Sequence, residues 1–259
     1  MPDVLHVPAF ADNYIWLVCA PGGNKVAIVD PGDADPVIDA LDARQLEPVA
    51  ILCTHHHGDH VGGARELCAR YKNLPVYGPA SERITAMTDP LREGDRAVLP
   101  ELGLAFDVLD IPGHTAGHIA FVGHGLLFCG DTLFSAGCGR LFEGTAEQMH
   151  ASLGKIKALS DDTRIYCGHE YTAANLRFAA TVEPDNDAIQ EHMAVVRHLR
   201  DADSPSLPSN VGLERRINPF LRSDQESVHR AAEAHAGHRL STETEVFAET
   251  RRWKDGFRG

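Results

Sequence analysis

The sequence predicts an α/β domain over residues 1–170 and an all-α region over residues 171–259. Short apolar runs alternate with turns and helical patterns up to about residue 170, which is the mark of mixed α/β structure. Beyond that point strand signals nearly stop, and helical periodicity with capping signals takes over. A third observation organises the first region. Thr54-His55-His56-His57-Gly58-Asp59-His60 sits between an apolar run, residues 49–53, and a helical pattern from Val61.

The elements follow in order. Residues 14–18 read as a strand, Pro21-Gly22-Gly23-Asn24 as a turn, and residues 25–30 as the returning strand, stopped by Pro31-Gly32. Residues 35–43 read as a helix with Val37, Ile38 and Leu41 on one face. Residues 49–54 are the next strand, followed by the His/Asp turn and a helix to about Arg70, and Val76-Tyr77 is a short strand. Strands at 104–111, 126–129 and 164–167 each run into a polar turn: Gly113-His114-Thr115-Ala116-Gly117-His118, Gly130-Asp131-Thr132 and Gly168-His169-Glu170. Sites in open sheets collect at the carboxyl ends of strands. Thr145-x-x-Gln148, Ser223-x-x-Glu226 and Thr242-x-x-Glu245 read as capping boxes, opening helices to about residue 159, near 224–236 and near 243–253. Further helices are expected at 172–180 and 187–200, with a loop at 203–208.

Composition narrows the function. The chain has 259 residues, 43% of them hydrophobic, and carries 24 basic against 37 acidic side chains, a net charge of −13. Phosphate neutralisation dominates nucleic-acid affinity, so no nucleic-acid partner is expected. No run is long and apolar enough for a membrane span, and no basic n-region suggests a leader, so a cytoplasmic protein without membrane attachment is expected. The six cysteines lack paired short spacings and read as small buried hydrophobes in a reducing compartment.

The chemistry lies in the polar turns. Neutral imidazole is the commonest side-chain metal ligand. His55 and His57 alternate, Asp59 and His60 follow, and His114, Asp131 and His169 close other strands. Five imidazoles and two carboxylates exceed the four-ligand set of a structural zinc and suit two ions with open positions. Asp131, alone at its strand end, is the candidate shared ligand, since paired ions lie about 3.5–4 Å apart. Such ions lower the pKa of bound water from ~15.7 toward ~7, which makes hydrolysis the expected reaction class. His118 and Asp30 are expected to orient neighbouring groups by hydrogen bonds, with His118 also a candidate catalytic group beside Asp59 and Asp131. The remaining histidines have no supporting context.

Thr-His-x-His-x-Asp-His, followed by Gly-His-Thr-x-Gly-His, a Gly-Asp and a late Gly-His, resembles the metallo-β-lactamase superfamily. That resemblance implies an αβ/βα sandwich, with its site at one edge and here an all-α C-terminal domain. Residues 136–140, Glu143-Gly144-Thr145, Tyr166-Cys167-Gly168-His169-Glu170-Tyr171-Thr172, Asn218-Pro219-Phe220-Leu221-Arg222 and the tail Arg251-Arg252-Trp253-Lys254-Asp255 are similar to the glyoxalase II branch, the hydroxyacylglutathione hydrolases. The similarity runs from Asn13-Tyr14 to Lys254. It implies one ion on His55, His57 and His114, a second on Asp59, His60 and His169, and Asp131 between them. It implies zinc, or iron or manganese in its place; a monomer is expected. It implies hydrolysis of S-D-lactoylglutathione to D-lactate and glutathione, in a catalytic domain at 1–170 and a glutathione-binding domain at 171–259. Arg140, Phe142, Tyr171, Arg251 and Lys254 become the substrate-binding positions, with Arg and Lys matched to the two carboxylates of glutathione. Family members often have Lys and Tyr where Arg140 and Phe142 stand. Phe142 lacks a hydroxyl, which removes one hydrogen bond worth about 1 kcal/mol. The rivals are a one-iron persulfide dioxygenase acting on glutathione-linked substrate, and another hydrolase of the superfamily. The first uses fewer ligands and lacks the long helical region.

Overall fold

A computed structural model describes residues 2–20 and 22–259; Met1, and Pro21 of the expected turn, lie outside the described residues. The chain divides into two compact units, residues 1–110 with 115–130, and residues 111–114 with 131–259.

The first unit opens with β1 (Asp3–Ala9), β2 (Asn13–Cys19) and β3 (Lys25–Val29), then α1 (Asp35–Arg44) and β4 (Glu47–Leu52). The short helix α2 (Gly58–Val61), α3 (Ala64–Arg70), β5 (Val76–Pro79) and β6 (Asp89–Leu91) follow. These strands form one sheet in the order β1-β2-β3-β4-β5-β6, antiparallel to β3 and parallel from β3 onward. Parallel neighbours need crossovers, which α1 and the α2–α3 pair supply. Every residue of β2 is buried. That explains its continuous apolar run, since a sheet covered on both faces has no polar side to alternate with. On one face Ile15, Leu17, Ile28 and Ile51 pack with Val37 and Leu41 of α1 and Leu67 of α3. β7 (Arg96–Leu99), β8 (Leu104–Asp110), β9 (Ile119–Gly123) and β10 (Leu126–Gly130) form an antiparallel meander.

The second unit holds the hairpin β11 (Leu133–Phe134) and β12 (Gly137–Cys138), α4 (Ala146–Lys157), β13 (Arg164–Cys167), α5 (Thr172–Val182) and α6 (Asp187–Asp201). It continues with β14 (Ser209–Asn210), α7 (Val211–Ile217), α8 (Glu226–Ala236) and α9 (Glu243–Gly256). The expected boundary at residue 170 falls inside this unit, because the β11–β12 hairpin and α4 pack with the C-terminal helices. The region after 170 is helical apart from β14, which pairs with β13.

Two of the three expected capping boxes form. Thr145 and Gln148 exchange bonds of 2.9 and 3.3 Å, and Thr242 and Glu245 two of 3.1 Å. The third does not. α8 starts at Glu226 with Gln225 as its cap, two residues later than the Ser223 box requires. Ser223 is buried and its hydroxyl has no hydrogen-bond partner among the described residues, so it does not cap the helix. α9 is built into this unit's core: Val246, Phe247, Thr250 and Arg251 are buried, and Phe247 meets Phe220 edge-on at 5.9 Å. Deleting residues 240–259 therefore removes core, and point substitutions are the sharper probe of this segment.

Candidate metal centre

In the first unit the polar turn leaves the carboxyl end of β4 and enters α2. Asp30 follows β3 in a left-handed conformation, φ 52°. Its carboxylate is buried and reaches across to the turn. Oδ1 accepts the Thr54 amide at 2.8 Å, and Oδ2 accepts the Thr54 hydroxyl at 2.8 Å and His60 Nδ1–H at 3.1 Å. The Thr54 hydroxyl donates to Asp30, so its oxygen accepts from His55 Nδ1–H, 3.1 Å away. Two rings are thereby fixed as Nδ1–H tautomers, each turning an Nε2 lone pair outward. His60 Nε2 lies 3.6 Å from Asp59 Oδ2. Asn13 holds that carboxylate oxygen at 3.1 Å. The backbone passes so close that a Cβ on Gly32 would stand 1.9 Å from the Asp59 carbonyl. Only glycine fits there, and the contact seats Asp59.

His118 stacks on His55, with ring centroids 4.5 Å apart and planes at 16°, and donates Nδ1–H to the Ile119 carbonyl at 3.0 Å. A Cβ on Gly130 would lie 2.2 Å from the Thr54 hydroxyl and 2.8 Å from His118 Nε2. Glu82 was not evident in the sequence. Its buried carboxylate accepts from the Thr115 hydroxyl and from the Gly117 amide at 3.1 Å, and meets His56 Nδ1 at 2.9 Å. It ties the 54–60 turn to the 115–118 turn from a loop with no pattern to mark it.

The second unit repeats the arrangement. His114 donates Nδ1–H to the Arg140 carbonyl at 2.9 Å and turns Nε2 toward Asp131 Oδ2 at 3.6 Å. His169 Nε2 approaches the same oxygen at 3.2 Å. A neutral ring with its proton on Nδ1 presents a lone pair to a carboxylate, and a proton or a cation between them resolves the repulsion. The donor set is therefore chemically that of a divalent metal site, with nitrogen and oxygen ligands and tautomers set by partners behind them.

His57 lies in the first unit, edge-on to His55 with ring centroids 4.8 Å apart, and the predicted substrate-binding residues lie in the second. Tyr171 lies flat on His169, centroids 4.7 Å and planes 6° apart, and Phe134 meets it edge-on at 5.1 Å. Phe142 is 62% exposed and stands edge-on to His114 at 5.2 Å. Arg251 is only 5% exposed; it donates to the Cys138 carbonyl at 2.7 Å and to Asp255 at 3.0 Å, over the Phe220 ring. Arg140 pairs with the same Asp255 oxygen at 3.7 Å. Lys254 sits over the Phe178 and Phe257 rings and donates to the Ala174 carbonyl at 3.3 Å. Burial first, then the charges of Arg251 and Arg177, hold Lys254 down to about 8. The six cysteines are free thiols, and burial raises the Cys138 thiol to about 11.

Strand-end His and Asp turns on this α/β framework define a protein of the metallo-β-lactamase superfamily, whose profile matches residues 10–169. The crystal structure of the BLEG-1 B3 metallo-beta-lactamase shares the fold at 23% identity and TM-score 0.62, covering 85% of this chain and 99% of that one. A second profile, hydroxyacylglutathione hydrolase C-terminus, matches residues 170–257. The chain is 51% identical to the hydroxyacylglutathione hydrolase of Nitrosomonas europaea over 100% of its own length and 98% of the relative's. It is 54% identical to that of Alkalilimnicola ehrlichii, over 98% of its own length and 99% of the relative's. The chain belongs to the hydroxyacylglutathione hydrolase family.

Proposed function

We propose that this protein hydrolyses S-D-lactoylglutathione and related S-2-hydroxyacylglutathiones to the 2-hydroxy acid and glutathione. The observation that carries the reading is identity of 51–54% along essentially the whole chain to relatives of that name, across both profiles. His55, His57 and His114 hold one divalent ion, Asp59, His60 and His169 a second, and Asp131 is shared. The recurring Nδ1-anchored imidazoles support those assignments, as does TTHA1623, a 28% identical protein (TM-score 0.58, 85% of this chain, 100% of that one) solved in a di-iron-bound form. We take zinc as the ion, with iron or manganese as substitutes, in a cytoplasmic monomer. When bound, such ions supply Lewis acidity and a water ligand ionised near neutral pH.

The protein's own groups do the rest. Asp30, Thr54 and the Arg140 carbonyl keep the imidazoles in one tautomer and one orientation. His118 backs His55 by stacking. Arg140, Tyr171, Arg251 and Lys254 receive the glutathione moiety, with Phe142 beside His114 offering an apolar face in place of a hydroxyl. Asp255 already shows how a carboxylate sits against Arg140 and Arg251. A substrate carboxylate replaces it like for like. A thiolate leaves readily, so no strong general acid is required.

Thioester hydrolysis followed by thiol release, with and without a chelator, tests the reading against a β-lactam and a phosphodiester. Turnover of the thioester alone, lost with chelator, is expected; preference for either other substrate overturns it. Metal content near two per chain is expected, and a value near one favours the dioxygenase. The Lys254 ammonium gives a pH test. It is charged below about 8 and neutral above, so KM for the thioester rises as pH climbs from 7.5 to 9.5, toward about tenfold per unit. Lys254→Arg removes that rise because guanidinium stays charged. A flat wild-type KM, or the same rise in the variant, removes Lys254 from the binding site.

A further inference from the structure

Asn218-Pro219-Phe220-Leu221-Arg222 is among the more specific parts of the sequence similarity, yet none of it belongs to the ligand set. Its place in the second unit, with buried Glu214 one helical turn before it, explains what it does. Glu214 is fully buried, and its carboxylate collects four donors. Oε1 accepts from the Ser135 hydroxyl at 2.8 Å and from the Ser209 hydroxyl; Oε2 accepts from the Ala136 amide at 2.8 Å and from Asn218 Nδ2 at 2.9 Å. Asn218 also donates to the carbonyls of Phe134 and Gly137 at 3.1 and 3.0 Å. Asn175 donates to the Ser135 carbonyl at 3.1 Å, and a Cβ on Gly137 would collide with it at 2.4 Å. Three buried polar side chains thus satisfy the backbone of one two-residue hairpin, β11–β12, from behind.

That hairpin turns through Ala136 at φ 54°, a left-handed conformation that is unfavourable for a residue with a Cβ. The strain persists because its amide is held by Glu214. The front of the hairpin carries the proposed peptide contacts. The Phe134 ring abuts Tyr171, the Cys138 carbonyl holds the Arg251 guanidinium, and Arg140 follows two residues after Cys138.

We propose that Glu214, acting with Asn218 and Asn175 through this hairpin, is a positioning residue for glutathione recognition, setting where Tyr171, Arg140 and Arg251 stand. The inference rests on the functional reading above. Glu214→Gln keeps the volume but removes the charge and one acceptor oxygen: with its remaining oxygen on the Ala136 and Asn218 donors, its NH2 faces the Ser135 and Ser209 hydroxyls, which must rotate from donating to accepting and loosen the network behind the hairpin. Ser135→Ala removes a single hydroxyl donor and guards against a Gln variant that fails to fold.

For Glu214→Gln, KM for S-D-lactoylglutathione is expected to rise about tenfold with kcat within about threefold, and for Ser135→Ala KM rises about threefold. Hydrolysis of S-D-lactoyl-N-acetylcysteamine, a thioester without the peptide, stays at the wild-type rate, and metal content is unchanged. Calorimetric titration with S-hexylglutathione, a thioether that cannot be hydrolysed, should show the same weakening without turnover. A purely structural role predicts instead that both thioesters lose activity together. That result, or wild-type KM and thioether affinity in the folded variants, overturns the inference and leaves the functional reading intact. A wild type that binds the thioether, loses affinity in Glu214→Gln and hydrolyses neither thioester overturns the functional reading and leaves the inference standing.

Discussion

Asp131→Ala is expected to abolish thioester hydrolysis, by at least ~1000-fold, and to release most of one metal ion per chain. The reason is local. Asp131 Oδ2 is approached by both His114 Nε2, at 3.6 Å, and His169 Nε2, at 3.2 Å. Without it two imidazoles converge on a space with no anion, and cations held there lose their shared counter-charge. Asp131 is buried, at 6% exposure, so a melting curve beside the turnover assay separates loss of the site from loss of the fold. Asp131→Asn separates charge from shape: it keeps one oxygen and loses the negative charge, so a loss close to that of Ala shows that charge is what matters. Metal analysis beside steady-state turnover decides the matter. Near-normal turnover with two metals retained would remove Asp131 from the shared position.

Much of this was legible before the fold. Strand ends bearing His or Asp are local features, and apolar runs such as residues 25–29 and 126–130 carry their own signal. The boxes at Thr145 and Thr242 worked because each is closed within four residues. Ser223 carries the same spelling, but α8 begins at Glu226 and leaves Ser223 buried outside it. The edge strand β1, with its mixed exposure, and the short strands β6, β7 and β14 were too weakly patterned to stand out. α7 was hidden behind Gly212, although its Asn210 cap, which accepts from Leu213 at 2.8 Å, was a usable mark. The supporting carboxylates were harder. Glu82 reaches residues 26, 33 and 35 positions away, and Glu214 reaches 78 and 79 positions. An isolated acidic residue in a loop or short helix has no periodicity, and its role exists only once distant segments meet. Arg251 shows the converse. The resemblance makes it a substrate contact, and the folded chain also buries it between a carbonyl and a carboxylate.

Asp30→Asn should have the second largest effect, and it acts without touching a reacting atom. The carboxylate takes three donors from two residues: the Thr54 amide on one oxygen, and the Thr54 hydroxyl with His60 Nδ1–H on the other. An asparagine has one oxygen to offer. If that oxygen faces His60, the NH2 group confronts the Thr54 amide in a buried site; if it is turned round, His60 and the Thr54 hydroxyl face a donor. The second arrangement frees the Thr54 hydroxyl from its acceptor, and with it the bond that fixes His55. Both proposed ions are therefore affected, one through each ring. Loss of such orienting partners lowers metal affinity about 10- to 100-fold, and a donor left unmatched in the interior costs about 1–3 kcal/mol of stability. The variant should melt earlier, lose metal to a chelator more readily, and recover much of its turnover when metal is supplied in excess. That recovery separates Asp30 from Asp131, whose loss added metal cannot repair. Chelator competition that leaves D30N indistinguishable from wild type would mean that His55 and His60 are held by their packing alone, and that the hydrogen-bond chain behind them is incidental.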